Sequence, residues 1–418
     1  MQRSVVRAAD VAEQRSYGRR VTADLVLRNA RVMTCRDDAL GMIDHGAVAI
    51  RGEQIAWVGS DADAPDAAVV EDLRGALLTP GLVDCHTHAI FAGDRANEFA
   101  MRARGATYLE IAAAGGGIAA TLGPTRAASD DHLVALLEQR LRAARAGGTT
   151  TIEVKSGYDL TLDGELRLLR CVRASECGVR VVPTLLVHLV PPERKADRDA
   201  YVREVCTSLI PRTAAEKLAT SVDIYCDEGA YTLAEARAVL GAAKTAGLAT
   251  RAHVGQFADL GGAELLAELG ALSGDHLEHV SDAGIAAMAA SGVVAVMLPG
   301  ACVQLRLPVP PIAKLRAAKV PMAIATDLNP GSSYCETLGV QLWLATTHFG
   351  MTVDEAWLGV TRHGATAVGL ENDAGVIRAG VRADLVAWST TEPGEVPYRY
   401  GANLVSRVWI AGIDMTAK

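Results

Sequence analysis

The sequence predicts a TIM-type (β/α)8 barrel joined to a small β-sandwich domain that is built from both ends of the chain. After residue 81, eight apolar strand-like runs alternate with amphipathic helices, and eight such units over about 270 residues are typical of this barrel. The flanks at 24–79 and 374–415 contain short alternating runs rich in Val, Ile and Gly, which are typical of small β units. The predicted barrel strands are 82–87, 150–155, 180–187, 222–227, 249–254, 272–277, 293–298 and 321–326.

Local signals support the helices between these strands. Ser129 can cap a helix over 130–146, and Thr232 with Glu235 forms a capping-box pattern at the start of a helix over 232–246. The expected organisation is an N-terminal extension, a composite β domain of two segments and one central barrel. Their expected bounds are 1–23 for the extension, 24–79 plus 360–418 for the β domain, and 80–359 for the barrel.

Polar residues favour the barrel over its alternative, a doubly wound open sheet. They fall at or just after the C-terminal ends of the predicted strands, where barrel enzymes place their chemistry. These residues are His86, His88, Lys155, His188, Asp227, His253, His276 and Asp327.

Composition restricts the class of protein. The 418 residues are 50% hydrophobic and 22% charged, with a formal charge of −8 and no Lys/Arg-rich run, which argues against nucleic acid or an anionic membrane as main partner. Eight scattered cysteines without Cys-x-x-Cys spacing indicate reduced thiols in a cytoplasmic protein. The N-terminus lacks the apolar centre of a signal peptide, and the uncharged run 283–305 is interrupted by Ser291-Gly292 and Pro299-Gly300. We therefore expect a soluble chain without a membrane span.

Two histidines at the end of the first barrel strand predict a metal site. His86 and His88 are two residues apart, so their side chains leave a strand on the same face. His253 ends the fifth strand and Asp327 the eighth. Three imidazoles and one carboxylate suit one divalent ion, Zn²⁺ or Fe²⁺, with an open position for water. A metal lowers the pKa of bound water from about 15.7 towards 7, which makes hydroxide available near neutral pH.

Two of these strand-end residues are candidates for proton transfer. His276, in Ser273-Gly-Asp-His-Leu-Glu278, can ligate the metal or help to orient and deprotonate the water. Asp327 can contact the metal, accept the proton of the water and deliver it to a leaving nitrogen. Gln256, three residues after His253, is the third candidate catalytic residue. We expect it to act through hydrogen bonds only, because an amide carries no titratable proton.

Longer motifs surround these residues. The most specific are Glu153-Val-Lys-Ser-Gly-Tyr158 and Asp327-Leu-Asn-Pro-Gly-Ser332, and others are Ile90-Phe-Ala-Gly-Asp-Arg95 and Gly380-Val-Arg-Ala-Asp-Leu-Val386. With the strand-end ligands, they make the chain similar to the amidohydrolase superfamily of metal-dependent barrel hydrolases. Within it, the chain resembles the imidazolonepropionases over about residues 24–413.

This resemblance implies an activity and roles for residues. The implied reaction is hydrolysis of the cyclic amide of 4-imidazolone-5-propanoate to N-formimidoyl-L-glutamate in histidine degradation, by a homodimer. The implied metal ligands are His86, His88, His253 and Asp327. The implied substrate contacts are Arg95, Tyr108, Tyr158, His188 and Gln256, together with a loop of Asn329, Gly331 and Ser332 for the propionate or product end. A guanidinium offers a fork of donors to a carboxylate, and a turn can present backbone N–H groups to an anion.

Three alternative functions remain open, and the sequence disfavours two of them. Related deaminases have a proton-shuttling glutamate where this chain has Gln256, so a deaminase is disfavoured. A non-catalytic scaffold of the same superfamily is disfavoured by the four intact ligands. The chain departs from the family pattern at 185–187, Val254-Gly255, Asp159 and Tyr334. These departures leave a related five-membered cyclic amide, such as a thio-imidazolone propionate, as the alternative substrate.

Overall fold

The structure, a computed structural model, describes residues 23–106, 110 and 116–416. The predicted extension, 1–23, therefore lies outside it except for its last residue. Within the described residues the strands are β1 (Ala23–Met33), β2 (Met42–Arg51), β3 (Gln54–Ser60), β4 (Ala67–Asp72), β5 (Leu77–Pro80), β6 (Leu82–Asp84), β7 (Thr149–Lys155), β8 (Arg180–Val187), β9 (Ser221–Cys226), β10 (Ala249–Val254), β11 (Ser273–His276), β12 (Val294–Met297), β13 (Met322–Ile324), β14 (Leu385–Trp388), β15 (Val405–Ile410) and β16 (Ile413–Asp414).

The described α-helices mostly follow the barrel strands. They span Ala96–Ala103, Ala119–Ala127, Asp130–Ala146, Leu162–Ala174, Arg198–Glu204, Ile210–Ala215, Leu233–Thr245, Gly262–Leu269, Asp282–Ser291, Pro299–Leu305, Ile312–Ala317, Leu338–Thr347, Val353–Gly359, Arg362–Ala367 and Glu395–Tyr398. Short 3₁₀ turns lie at Asp61–Asp63 and Pro192–Asp197, and a π-helical turn at Val205–Leu209.

Strands β6 to β13 form the predicted parallel barrel, in which each strand pairs with the next along the chain. Each of the eight predicted runs corresponds to one strand. The first and last strands are shorter than predicted, because the chain beyond them pairs through single contacts instead of a regular ladder. Asp327 N–H donates to the His86 carbonyl at 3.0 Å, and His88 N–H donates to the Leu328 carbonyl at 2.9 Å. The barrel is therefore joined across its first and last strands at the segments that carry the predicted ligands.

Side-chain caps begin the two helices for which the sequence predicted them. The Ser129 hydroxyl accepts a hydrogen bond from His132 N–H at the start of Asp130–Ala146. Thr232 and Glu235 form the reciprocal capping box that begins Leu233–Thr245. Such caps satisfy N–H groups that have no partner within the first turn of a helix.

The remaining eight strands form a separate mixed sheet from both ends of the chain. Its order is β16-β15-β14-β5-β1-β2-β3, with β4 paired to β1. Leu27, Ile50, Leu385 and Trp409 lie in its buried core, so the two chain ends share one hydrophobic cluster. The barrel with a β unit from both termini is confirmed, while the predicted bounds of the units stay a prediction.

The uncharged run 283–305 is divided between three elements of the barrel. Most of it lies in the helix Asp282–Ser291, in β12 and in the helix Pro299–Leu305. Among the residues that the structure describes, every helix is too short or too polar to cross a bilayer.

Candidate active site

The four predicted metal ligands converge at the mouth of the barrel. Asp327 Oδ1 lies 3.4 Å from His86 Nε2 and 3.4 Å from His88 Nε2. His253 Nε2 is also 3.4 Å from His88 Nε2. All four side chains are buried, with at most 4% of any residue exposed. The alternation of side chains along an extended segment thus brings His86 and His88 to the same carboxylate oxygen.

The geometry of this cluster fits a metal ion. Four donors at about 2.0–2.1 Å from a tetrahedral Zn²⁺ ion lie about 3.4 Å from one another, as the measured pairs do. His86 Nε2 is buried and has no hydrogen-bond partner among the described residues. Such an atom is costly to bury unless it binds something else. Two overlapping groups of described residues are close enough to hold a metal ion, His86 with His88 and Asp327, and His86 with His253 and His276. The barrel mouth therefore contains a His/Asp metal-binding site.

Two carboxylates orient the histidines from behind. Asp275 Oδ2 lies 2.6 Å from His86 Nδ1, and Asp223 Oδ1 lies 2.8 Å from His253 Nδ1. A carboxylate at Nδ1 places the proton on that atom, so the lone pair of Nε2 points into the cluster. Neither carboxylate was predicted from the sequence to support the site. Asp223 gave a signal as a carboxylate inside the mainly apolar strand Ser221–Cys226, whereas Asp275 lies in the polar strand Ser273–His276, directly before His276.

A layer of paired charges lies beneath the site. Lys155 Nζ is 2.9 Å from Glu153 Oε1 and 2.7 Å from Asp223 Oδ2. The Arg251 guanidinium is 3.2 Å from Glu153 Oε1 and 3.0 Å from Asp275 Oδ2. These five side chains are fully buried, and buried charges are stable only when they are paired in this way. The layer fixes the two carboxylates that orient the histidines.

The electrostatics favour the metal-binding protonation states of His253 and Asp327. For His86, burial and Lys155 lower the pKa, but the contacts with Asp275 and Asp327 raise it on balance. Burial disfavours the imidazolium of His253 and holds its pKa well below the usual value, so the ring is a neutral donor. Burial alone would raise the pKa of Asp327, but the neighbouring imidazoles of His86 and His88 hold it well below its usual value. Neutral imidazoles and an ionised carboxylate are the ligand forms that divalent metals require.

His276 lies beside the cluster at the end of β11. Its ring centroid is 5.5 Å from that of His253 and 6.0 Å from that of His86. Its Nδ1 atom is 3.5 Å from Glu278 Oε1 and has no hydrogen-bond partner among the described residues. The backbone of His276 is in the left-handed region, with φ of 84°. This uncommon conformation turns the ring towards the cavity.

A cavity of about 960 Å³ opens above the cluster and collects most of the predicted site. The predicted residues that line it are His88, Arg95, Tyr158, His188, His253, Gln256, His276, Asp327, Asn329, Gly331 and Ser332. His86 lies at the closed end, beside His88. Tyr108 lies outside the described residues, so its predicted contact stays a prediction. The departures from the family pattern at 185–187, Asp159, Val254-Gly255 and Tyr334 are not among the described residues that line the cavity.

Tyr158 is carried by a loop that one carboxylate holds. The Glu165 side chain accepts the backbone N–H groups of Gly157, Asp159 and Leu160, the last at 2.6 Å. The ring of Tyr158 is buried, with its centroid 6.0 Å from that of His88. Glu165 thereby determines where Tyr158 meets the cavity. Its position on a helix gave no sequence signal of this role.

A second carboxylate holds the loop of Gln256 in the same manner. Asp227 accepts the backbone N–H groups of Gln256, Phe257 and Ala258 at 2.6, 3.1 and 3.0 Å. The Tyr225 hydroxyl donates to Gln256 Oε1 at 2.9 Å. The oxygen of the amide is thus engaged, which leaves the NH₂ group as the donor that Gln256 can offer to the cavity that it lines.

His188 is neutral at physiological pH. Burial lowers its pKa to about 4, and its Nδ1 lies 3.0 Å from the Gly157 carbonyl. A carbonyl can only accept, so Nδ1 carries the proton and Nε2 is an acceptor. The ring therefore offers a hydrogen-bond acceptor on the cavity side.

The guanidinium of Arg95 is already paired with a carboxylate of the protein, that of Glu98. Its Nε and Nη2 atoms donate to Glu98 at 2.9 and 2.7 Å. Glu98 also accepts the Gly117 N–H at 2.9 Å. Glu98 was not among the predicted residues, although it lies one helical turn after Arg95.

The loop after Asp327 uses its donors internally. The N–H groups of Gly331 and Ser332 donate to Asn329 Oδ1 at 2.8 and 2.7 Å. The Ser332 hydroxyl lies 3.4 Å from Asp327 Oδ2. The structure brings these residues to the cavity wall, while their predicted reception of an anion stays a prediction.

Comparisons with known proteins agree with the barrel and the cluster. The profile of the amidohydrolase family matches residues 77–413. An imidazolonepropionase of Caulobacter vibrioides is 49% identical over 395 residues, covering 92% of this chain and 98% of that protein. One from Xanthomonas euvesicatoria is 47% identical over 397 residues, with the same coverage. A zinc-bound adenosine deaminase structure from Xanthomonas campestris superposes with a TM-score of 0.70 at 20% identity, covering 94% of this chain and 93% of that one, and this likeness concerns the fold alone.

Fold and site together define a metal-dependent hydrolase of the (β/α)8 barrel class. The chain belongs to the amidohydrolase family and, within it, to the imidazolonepropionases.

Proposed function

We propose that the protein hydrolyses the cyclic amide of 4-imidazolone-5-propanoate to N-formimidoyl-L-glutamate, a step of histidine degradation. The observation that carries this proposal is the joint lining of one cavity by the metal-ligand cluster and by Arg95, Tyr158, His188 and Gln256. The metal end suits attack on an amide carbonyl, and the arginine suits a carboxylate arm. The departures from the family pattern lie outside the described lining, which favours this substrate over a related cyclic amide.

His86, His88, His253 and Asp327 would hold one divalent ion, Zn²⁺ or Fe²⁺. When bound, such an ion lowers the pKa of water to about 7 and polarises the carbonyl. A single ion is favoured because the nearby carboxylates already have cationic partners. Lys155 occupies the space between Glu153 and Asp223, where a second cation would be repelled.

Asp327 and His276 would move protons. Asp327 is ionised, and its Oδ2 is approached only by the Ser332 hydroxyl among described side-chain donors. It can take the proton from the attacking water and deliver it to the ring nitrogen as the carbon–nitrogen bond breaks. His276 faces the same space and can orient the water or hydrogen-bond the developing negative charge on the carbonyl oxygen.

The remaining residues would bind the ring and its arm. The Gln256 NH₂ group donates and the neutral His188 accepts, which suits the carbonyl and N–H groups of an imidazolone. Tyr158 closes one side of the cavity, with Tyr108 as a further predicted contact. Arg95 would receive the propionate, and Asn329, Gly331 and Ser332 would shape the wall beside it.

The direct test is incubation of the metal-loaded protein with freshly generated imidazolone propionate, following loss of its ultraviolet absorbance. We expect turnover with release of N-formimidoyl-L-glutamate and without ammonia. A thio-imidazolone propionate assayed in parallel addresses the alternative substrate. Absence of turnover above background with metal present would contradict the proposal, and full activity in His253→Ala would contradict the ligand assignment.

We also propose a cytoplasmic location and a homodimer. All eight cysteines are free thiols, and six are buried, as is usual in a reducing compartment. The homodimer rests on the family resemblance, and light scattering at micromolar concentration tests it.

A further inference from the structure

Arg95 already uses two of its five N–H donors within the protein. Its Nε and Nη2 atoms form a bidentate pair with Glu98, which uses the edge of the guanidinium that matches a carboxylate best. The remaining Nη1 packs on Gly331, where an added Cβ would lie 2.1 Å from it. Arg95 keeps the two N–H groups of Nη1 and one N–H of Nη2 for a substrate carboxylate. Its charge is already shared with Glu98, so a second cation at this wall would strengthen carboxylate binding.

Arg102 lies on the same side of the helix Ala96–Ala103 and on the same cavity wall. Its Nη2 donates to the Gly331 carbonyl at 2.9 Å and lies 3.6 Å from Glu98 Oε2. Its Nε is buried without a hydrogen-bond partner among the described residues. Arg95 and Arg102 thus approach the same glycine from two directions.

The three described side chains that meet beside Gly331, Arg95, Arg102 and Glu98, do not balance in charge. Glu98 is the carboxylate for both guanidiniums, so the three side chains carry a net charge of +1 on a partly buried wall. Burial, and then the charge of Arg95, lower the pKa of Arg102, which is the effect expected of a cation with incomplete compensation. A ligand carboxylate at this position would complete the pairing.

We propose that Arg102 is a second binding residue for the substrate's propionate, acting with Nη1 of Arg95, and that Glu98 positions both guanidiniums. This inference rests on the proposed function. Gly331 follows Asp327 by four residues, so the loop that carries both arginine contacts begins at a candidate metal ligand. Recognition of the carboxylate arm and placement of the ring over the metal-binding site are thereby linked through one short loop.

The test compares 4-imidazolone-5-propanoate with its neutral propanamide counterpart in the wild type, Arg102→Met and Arg102→Lys. For Arg102→Met we expect kcat/KM for the acid to fall about tenfold to a hundredfold, mainly because KM rises. The kcat/KM for the amide should change by no more than about twofold. The kcat/KM of Arg102→Lys for the acid should lie between those of the wild type and Arg102→Met, because an ammonium keeps the charge but not the planar donor fork. Circular dichroism and bound-metal content establish that each variant is folded and loaded.

Arg104→Met is the matched control, since Arg104 is exposed just after the same helix and its removal changes the net charge equally. Equal losses on acid and amide in Arg102→Met would overturn the inference, because they indicate that Arg102 only supports the Gly331 loop. An unchanged KM for the acid would overturn it as well. If the wild type turns over neither compound, the proposed function is contradicted, and the role of Arg102 that depends on it is contradicted as well. The assay of the wild type alone identifies this outcome.

Discussion

Asp275 and His86 are joined by a short and fully buried polar contact, with Oδ2 2.6 Å from Nδ1. Asp275 is in turn 3.0 Å from Arg251, so the carboxylate is held from both sides. This chain of contacts fixes the ring of His86 so that its Nε2 atom lies within the group of candidate metal ligands.

We expect Asp275→Asn to weaken metal binding by about 10- to 100-fold, because the partner that orients a ligating histidine contributes that much to affinity. Metal content after dialysis against a graded chelator measures the change. The control is Asp282→Asn, which removes an exposed carboxylate that pairs with Lys314. It should leave the metal content unaltered. Equal metal retention in wild type and Asp275→Asn would contradict this account of the site.

Metal removal should lower the thermal stability of the protein. An ion that binds only the folded state stabilises it by about 4 kcal/mol at a thousand times its Kd. A chelator is therefore expected to lower Tm, and either Zn²⁺ or Fe²⁺ should restore it. His253→Ala supplies the control, since its Tm should respond much less to the chelator. Identical chelator responses in the two proteins would exclude His253 from the ligand set.

Glu165→Gln should disturb the loop of Tyr158. An amide cannot accept all three N–H groups that Glu165 accepts now, and an unsatisfied buried donor costs about 1–3 kcal/mol. We expect a lower kcat/KM together with reduced stability in urea. In a Tyr158→Phe background the further loss of activity should be smaller if Glu165 acts through Tyr158. Glu176→Gln, an exposed position after the same helix, should change neither quantity.

The Arg198–Glu235 pair should make stability depend on pH at the acid end. The hydrogen bond from Arg198 is the first cause that lowers the pKa of Glu235 to about 2. A lowered carboxyl pKa stabilises the fold above the unfolded value of about 4.3, and this contribution is lost as pH falls from there towards about 2. Because Arg198 is 35% exposed, screening reduces the effect, and we expect Glu235→Gln to cost about 1–2 kcal/mol at pH 7.

The measurement for this pair is urea unfolding of the wild type and Glu235→Gln at pH 7 and at pH 3. The difference between the two proteins should shrink at the lower pH, while any loss of metal affects both alike. Glu268→Gln, which breaks an exposed pair with Arg237, should show a smaller difference. A difference that is constant with pH would contradict the assignment.

Hydrophobic periodicity and strand-end chemistry were enough to predict the barrel, its eight strands and the group of His86, His88, His253 and Asp327. The reason is local, since a parallel strand buried on both faces must be apolar and a polar residue at its end marks the mouth. The motifs added the family, which the comparisons confirm.

Tertiary structure alone decided which side chains support the site. Glu165 and Asp227 each hold a loop through three backbone N–H groups, and Arg95 is paired with Glu98 before any ligand binds. The contacts of Asp227 join residues 29 to 31 positions apart, whose approach is set by the packing of the barrel. Those of Glu165 and Glu98 are local and depend on the conformation of a loop and of a helix end. The sequence by itself determined the fold class and the metal-binding chemistry. The closure of the barrel decided the distances between the candidate ligand atoms of the first and last strands. Hydrogen bonds across these two strands bring together His86 and Asp327, which are 241 positions apart in the chain.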